Sequence, residues 1–393
     1  MWKLSRAKKS KAVPVVAVLT VLIAALAVVC FLINPMVIQP QRDAVKKANE
    51  EARAAVEERN RKAEAEYKAR IAELESQANT PTNPSWPAQD PDKEWELIDL
   101  TGIPLENQTA ETRSRTDLTL GGMLLINAWH SRPEYFDESG MVSVAKYYKG
   151  DDKIQAKDNN VTLHPTAIAA LHEALAAAKA EGMLHYMVDG GYRTYDTQKT
   201  FFDNKKSKLA AKNPTWSEEA LVEATKKEVN YPGTSEYNSG LAFDLRLHDK
   251  DDPEVGTPKY STTAQGKWMS ENCWKYGIVF RFPQAGWPLE TSTDKSFKTG
   301  VSMHLNLYRY VGKGNAAVMH YMDFTMEEYI EYLEEHPHIA LFENGVLKYE
   351  VYRQNVGDVS DRESIDVQLT AKAAGYESSL DNMGALITVF RYD

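Results

Sequence analysis

The chain has 393 residues, a hydrophobic content of 43% and a formal net charge of −10 at pH 7. That length allows one large domain with accessory segments, or two domains, and the hydrophobic content is sufficient for a packed core. An acidic chain with no dominant basic patch in its soluble part is not expected to bind nucleic acid, and two cysteines as far apart as Cys30 and Cys273 exclude a disulfide framework.

The N-terminal segment has the pattern of a membrane anchor. Basic residues are concentrated in 1–11, and the run from Ala12 to Ile33 contains no charged residue. Its length is about the 20 residues that a helix needs to cross the hydrocarbon core. The sequence predicts a cytoplasmic tail at 1–11 and a transmembrane signal anchor at 12–38, in a single-pass protein of the cell membrane whose C-terminal domain is extracytoplasmic. A cleaved signal peptide and a lipoprotein signal at Cys30 are the alternatives, but neither has the expected small residues before a cleavage site.

A helical stalk is predicted at 43–78. The segment from Asp43 to Gln77 is rich in Ala, Glu, Lys and Arg and has no Gly or Pro, which is typical of a long helix. A single solvated helix and a coiled coil that makes a homodimer both remain open. The seam of such a coiled coil would consist of Val56, Asn60, Ala63, Tyr67, Ile71 and Leu74. The Pro-rich stretch at 79–93 ends the helix and is predicted to be a linker.

The remaining residues are predicted to form an α+β domain at 94–340 and a small β-rich appendage at 341–393. Helices cluster early and strands are interleaved later, which favours α+β over a doubly wound sheet. The predicted helices lie at 166–180, from Gln198 to Asn204, and at 325–335, the last with the capping pattern Thr-Met-Glu-Glu. The predicted strands lie at 124–127, 185–189, 241–245, 305–311, 348–352 and 385–390.

Short motifs follow one another along the second half of this domain. They are Gly191-Tyr192-Arg193-Thr194-Tyr195 with Gln198, Pro232-Gly233-Thr234-Ser235-Glu236 continuing to Asp244, Trp274 to Gly277, Phe280-Arg281-Phe282-Pro283, and Thr299-Gly300 before Arg309-Tyr310-Val311-Gly312. In order and spacing they resemble the motifs of the VanY-like zinc D-alanyl-D-alanine carboxypeptidases. The resemblance implies the LAS-type fold, which is the hedgehog/D-Ala-D-Ala metallopeptidase fold, with a central antiparallel sheet.

The resemblance also implies a zinc site, and this chain has other residues at most of its positions. In the family, the histidine and the aspartate of S-x-H-x-x-G-x-A-x-D bind the metal, and a later E-P-W-H segment supplies the catalytic glutamate and the third ligand. Here Tyr237 stands at the first histidine. Alignment on 309–312 places His304 at the glutamate and Leu307 at the last histidine. Of the three ligand positions, only Asp244 keeps its residue.

Candidate roles follow for the other cleft residues. The resemblance places Arg193 where it could stabilise an oxyanion, or bind a substrate carboxylate in a bidentate pair. It places Gln198 and Ser235 on the substrate side. His304 is a candidate base, and it could also bind zinc if the ligand set were rearranged.

Asp244 has two interpretations. It is the candidate metal ligand, but Leu307 cannot bind zinc and the phenol of Tyr237 is a poor ligand because it must first lose a proton of pKa near ~10. The alternative is that Asp244 forms a buried ion pair with Arg193 or with Arg246, which lies two residues on and therefore on the same strand face. We expect the ion pair.

Three functional hypotheses remain. The first is a catalytically degenerate VanY-like protein, without a cofactor, that binds a peptidoglycan stem peptide or a cell-wall protein in the former substrate cleft. The second is an active D-alanyl-D-alanine carboxypeptidase with zinc held by a rearranged set that includes Asp244 and His304. The third is a structural envelope protein that oligomerises through its stalk. The sequence leaves open whether the chain is an enzyme.

Overall fold

A computed structural model describes residues 47, 54, 58–65, 67–69, 86–87, 90 and 92–392. The chain divides into two units, Met1–Lys62 and Ala63–Asp393. Every described residue of the predicted stalk is helical, while the predicted homodimer through the stalk stays a prediction. The predicted anchor at 12–38 lies outside the described residues, and among those that are described no helix is long and apolar enough to cross a membrane.

The strands of the larger unit form two main antiparallel sheets. The strands are β1 Trp95–Asp99, β2 Gln108–Ser114, β3 Val142–Ser143, β4 Thr162–Leu163, β5 Tyr186–Gly190, β6 Ala242–Leu247, β7 Ile278–Phe280, β8 Leu307–Tyr310, β9 His338–Glu343, β10 Val346–Asn355, β11 Ser364–Thr370, β12 Gly375–Leu380 and β13 Ala385–Arg391. The four-stranded sheet has the order β5-β6-β8-β7, and the five-stranded sheet has the order β1-β9-β10-β13-β12. Strand β2 pairs with β11 and β3 pairs with β4 in two-stranded ladders.

Helices pack on both sheets, so the fold is α+β as predicted. The helices are α1 Arg115–Thr119, α2 Val144–Tyr147, α3 Pro165–Ala180, α4 Tyr195–Lys212, α5 Glu218–Lys226, α6 Ala264–Asn272, α7 Ser296–Thr299, α8 Lys313–Met322 and α9 Met326–Glu335. Helix α3 begins with Pro165, whose fixed φ suits the first helical position. Helix α9 begins with the predicted capping box, in which Thr325 and Glu328 each bond to the other's backbone N–H.

Two hydrophobic cores hold these layers together. One lies between α3 and the four-stranded sheet and includes Ile168, Leu171, Val188, Phe243 and Tyr308. The other lies between α8, α9 and the five-stranded sheet and includes Met319, Leu333, Leu341, Val351 and Val389. The first core fixes the strands β6 and β8, which carry the candidate site.

The strand predicted at 124–127 is wrong. These residues are buried but lie outside any helix or strand. Their backbone polar groups find other partners, because the Arg309 side chain donates to the carbonyl of Leu124 at 2.9 Å and the N–H of Leu125 donates to Asp381 at 3.2 Å. A buried apolar run therefore satisfies its backbone without joining a sheet.

The C-terminal residues contain the predicted β strands, but they are not separated from the domain before them. Strand β9 crosses the predicted boundary at 340, and it pairs with β1 from Trp95↔Glu343 to Asp99↔Ile339. Strands β10, β13 and β12 then continue the same sheet. The segment 341–393 thus shares a sheet with the first strand of the 94–340 region.

Candidate functional site

The centre of the candidate site is a hydrogen-bonded pair at two positions where the family resemblance implies metal ligands. Tyr237 lies in the 3₁₀ turn Glu236–Ser239, and Asp244 follows on β6. The turn ends at Gly240, whose φ of 71° is accessible to glycine at little cost. The phenol hydroxyl of Tyr237 donates a hydrogen bond to Oδ2 of Asp244. One oxygen of this carboxylate thus accepts a hydrogen bond from a side chain of the same protein.

The electrostatics of this pair keep the phenol protonated. Burial raises the pKa of the Asp244 carboxyl to about 6, while the hydrogen bond from Tyr237 and the charge of Arg193 act in the opposite direction. Burial, followed by the charge of Asp244, raises the pKa of Tyr237 well above its usual range. Since a phenol binds zinc as the phenolate, this environment opposes metal binding by Tyr237.

Leu307 and Gly190 lie opposite Asp244 on the two neighbouring strands. Leu307, which is 1% exposed, is the cross-strand partner of Asp244 in the β6–β8 ladder. Gly190 faces Asp244 from β5, and a Cβ added at this glycine would lie 2.8 Å from Oδ2 of Asp244. The observed side-chain orientation of Asp244 therefore depends on glycine at 190.

The residues present do not fit a zinc centre. Zinc in catalytic sites takes three N, S or O ligands from the protein and keeps one position for water. Here one carboxylate is bonded to a protonated phenol, and the position opposite is an aliphatic side chain. Within 92–392 and the shorter described segments before them, no three His, Cys, Asp or Glu side chains converge as a metal site would require.

Arg193 lies next to the pair but does not form the expected ion pair. Its guanidinium carbon is 3.8 Å from the centroid of the Tyr237 ring and 5.2 Å from that of Phe201. No carboxylate of the described residues lies within ion-pair distance of it. Arg246 is not the partner of Asp244 either: its Nε lies 2.9 Å from Oδ1 of Asp189. A half-buried guanidinium with unused donors is available for an anionic ligand.

His304 is placed away from this pair. It is exposed, and its ring stacks on Trp287 with the centroids 4.7 Å apart and the planes at 5°. The neighbouring residues Met303 and Leu305 line the cavity described below, whereas His304 does not. The structure therefore does not bring His304 together with Asp244 as a base or as a second ligand.

Gln198 and Ser235 lie near the cleft and are both buried. The side-chain amide of Gln198 donates to the carbonyl of Asn230 at 2.8 Å. Its Oε1 has no hydrogen-bond partner among the described residues. Ser235 lines a cavity of about 370 Å³ together with Tyr237 and Leu307. Gln198 thus supports the cavity wall through Asn230, and Ser235 forms part of that wall.

A buried network of charges, not predicted from the sequence, fixes the turn that carries Tyr237. The carboxylate of Glu236 accepts from Nε of Arg281 at 2.6 Å and from Nη1 of Arg309 at 2.5 Å. Arg281 also makes a bidentate pair with Glu327 at 2.6 and 2.9 Å, and Asn127 donates to the same carboxylate at 3.0 Å. These four charged side chains are at most 6% exposed. Three of the four, Glu236, Arg281 and Arg309, lie inside recognised motifs, and this was the available signal in the sequence.

Comparison with known proteins identifies the family. A family model described as VanY, D-alanyl-D-alanine carboxypeptidase, matches residues 160–312. A D-alanyl-D-alanine carboxypeptidase of Enterococcus faecium is 27% identical over 286 residues, which cover 72% of this chain and 80% of that protein. The Bacillus subtilis (strain 168) protein YodJ, a carboxypeptidase by name, is 32% identical over 209 residues, which cover 53% of this chain and 67% of YodJ.

A solved structure shares the fold. The crystal structure of the vancomycin-resistance D,D-dipeptidase VanXYg, in complex with a D-Ala-D-Ala phosphinate analog, matches with a TM-score of 0.51 and 18% identity over 72% of this chain and 99% of that one. The α+β architecture with antiparallel sheets is therefore that of the LAS-type peptidases. The chain belongs to the family of VanY-like D-alanyl-D-alanine carboxypeptidases.

Proposed function

We propose that this chain is a membrane-anchored, extracytoplasmic member of the family that binds peptidoglycan stem peptide in the former substrate cleft without hydrolysing it. The observation that carries the proposal is the hydrogen bond from the Tyr237 hydroxyl to Asp244, opposite Leu307. It replaces the ligand set on which zinc-dependent hydrolysis in the family depends. The placement of His304 offers no compensating ligand.

Two features support binding. The first is a cavity of about 370 Å³ beside the former metal position, which is within the size range of small-ligand sites. The second is Arg193, whose guanidinium is held against the Tyr237 ring by a cation–π contact and has no carboxylate partner among the described residues. This guanidinium does not line the cavity itself. It lies against the ring of Tyr237, which does, and its planar set of donors is suited to the carboxylate of a peptide.

Substitution Arg193→Ala is expected to weaken binding of the peptide diacetyl-L-Lys-D-Ala-D-Ala by about 1.5–3 kcal/mol, since it removes a hydrogen bond to a charged group. Calorimetry on the full-length chain in detergent measures this difference. The matched control is Arg113→Ala, a half-buried arginine on β2 that contacts Glu111 at 3.4 Å, and it should bind the peptide like the wild type. Equal binding by the wild type and Arg193→Ala would contradict the role of Arg193.

The membrane location rests on the sequence pattern at 1–38. Because basic residues precede the apolar run, we expect everything after it to lie outside the cytoplasm. Protease added to intact protoplasts should digest the globular unit, and a soluble cytoplasmic marker protein should survive as the control. Complete protection of the globular unit would contradict this orientation.

A further inference from the structure

The wall of the cavity next to the former metal position is an apolar surface. Leu307 and Phe282 form a small hydrophobic cluster with Ala242, and Tyr237, Val301 and Leu305 pack against it. Five of these six residues, all except Ala242, line the cavity. Two of them, Tyr237 and Leu307, occupy positions where the related enzymes have metal ligands. The cavity wall beside Tyr237 is thus lined by apolar side chains.

Several polar side chains on the same wall are already bonded within the protein. The amide nitrogen of Asn127 donates to Glu327 at 3.0 Å, and its oxygen accepts from the N–H of Trp129, also at 3.0 Å. Glu236 is held by two arginines, and Asn230 donates to the carbonyl of Thr234 at 3.1 Å. Breaking such buried bonds to serve a ligand would cost free energy. The half-buried apolar side chains of Tyr237, Val301 and Leu305 therefore remain as surface that a ligand can contact in this cavity.

The apolar surface continues to the mouth of the cavity. Tyr231 and Met303 both line the cavity and are 45% and 46% exposed. Large exposed apolar groups beside a concave site are typical of a binding surface. Lys226, Lys227 and Glu228 also line the cavity and are exposed. Lys226 pairs with Glu223 at 2.7 Å and Glu228 pairs with Lys205, which leaves Lys227 as a cation at the rim without a carboxylate partner among the described residues. This combination fits a peptide that carries both an apolar side chain and a carboxylate.

We propose that the cavity selects a peptide whose residue at the former metal position has a branched apolar side chain of at least leucine size, in preference to alanine. The inference rests on the proposed function, in that it takes the ligand to be a peptide bound uncleaved in this cavity. Selection arises because the half-buried side chains of Tyr237, Val301 and Leu305 offer apolar contact in the cavity. They pack against Leu307 and Phe282, which are themselves only 1% and 5% exposed. A longer side chain then removes more apolar surface from water than a methyl group does.

The test compares two peptides that differ only at the last residue, diacetyl-L-Lys-D-Ala-D-Ala and diacetyl-L-Lys-D-Ala-D-Leu. Calorimetry on the full-length chain in detergent should show about tenfold tighter binding of the D-Leu peptide, from burial of two or more additional methylene-sized groups. Val301→Thr keeps the side-chain shape but adds a hydroxyl to the cavity wall, and it should reduce this preference to about threefold or less. Val346→Thr, at a 53% exposed valine on β10, is the control and should leave the preference unchanged.

The outcomes separate this inference from the function on which it rests. Equal or tighter binding of the D-Ala peptide would overturn the inference and leave peptide binding in place. A preference for the D-Leu peptide that Val301→Thr does not reduce would also overturn it, since the preference would then arise elsewhere. Absence of binding by both peptides would overturn the proposed function itself.

Discussion

The double substitution Tyr237→His with Leu307→His is expected to produce a chain that binds about one zinc ion, with Asp244 as the third ligand. The geometry of the backbone is the reason. Leu307 is the direct cross-strand partner of Asp244, and side chains at such positions have Cβ atoms about 4.5–5.5 Å apart on one face of the sheet. The side chain at 237 already reaches the Asp244 carboxylate. Three ligand positions therefore converge on one point, and at two of them the present side chains, a protonated phenol and an aliphatic group, do not serve as zinc ligands.

Zinc content after gel filtration, measured by elemental analysis, checks this expectation. Each single variant supplies two ligands and should retain much less zinc than the double variant. Tyr147→His with Leu184→His adds the same number of histidines at two exposed sites, each 42% exposed, and is the matched control. A folded double variant that holds no more zinc than this control would show that the three positions do not converge as described.

Substitution Arg281→Ala is expected to reduce the free energy of unfolding by about 3–5 kcal/mol, the usual cost of removing one partner from a buried ion pair. Arg281 is 1% exposed and is the shared partner of Glu236 and Glu327. Burial alone would raise the pKa of the Glu327 carboxyl. The charge of Arg281 and the hydrogen bonds that Arg281 donates outweigh this effect, so the pKa of Glu327 is lowered. Without Arg281, the buried carboxylate of Glu236 would keep only Arg309 as a partner in this network, and the buried carboxylate of Glu327 would keep only Asn127.

Urea unfolding of the full-length chain in detergent, followed by near-ultraviolet circular dichroism, measures the loss. The control is Arg246→Ala, whose ion pair with Asp189 is half exposed and should contribute about 1 kcal/mol or less. Similar losses for the two variants would contradict the importance assigned to the buried network. Because Glu236 precedes Tyr237, we also expect Arg281→Ala to weaken the hydrogen bond between Tyr237 and Asp244.

The parts of the fold that depend on local patterns were predictable from the sequence. Helix α3 after Pro165 and helix α9 after the capping pattern at Thr325 lie where residue spacing and caps placed them. The family resemblance also predicted the fold, and the shared architecture confirms it. The boundary at 340 was not predictable, because pairing of β1 with β9 joins residues about 240 positions apart, and no local pattern contains that information.

The contacts of the candidate site were predictable only in part. Arg193, Tyr237 and Asp244 lie together, in keeping with their motifs. Strand alternation predicts that Arg246 and Asp244 lie on the same face of β6. The β5–β6 ladder is irregular between Val188 and Gly190, however, and Asp189 lies within reach of Arg246. A bulge of this kind changes side-chain directions without a clear sequence signal. The choice of Tyr237 as the partner of Asp244 likewise depends on a turn conformation that the sequence alone does not specify.

The most direct test of the absence of a competent zinc site is the zinc content of the full-length wild-type chain, purified without chelator. We expect no stoichiometric zinc, because Tyr237 and Leu307 occupy two of the three ligand positions and the Asp244 carboxylate accepts a hydrogen bond from Tyr237. About one zinc ion per chain, lost on Asp244→Ala, would contradict the account and support an active carboxypeptidase.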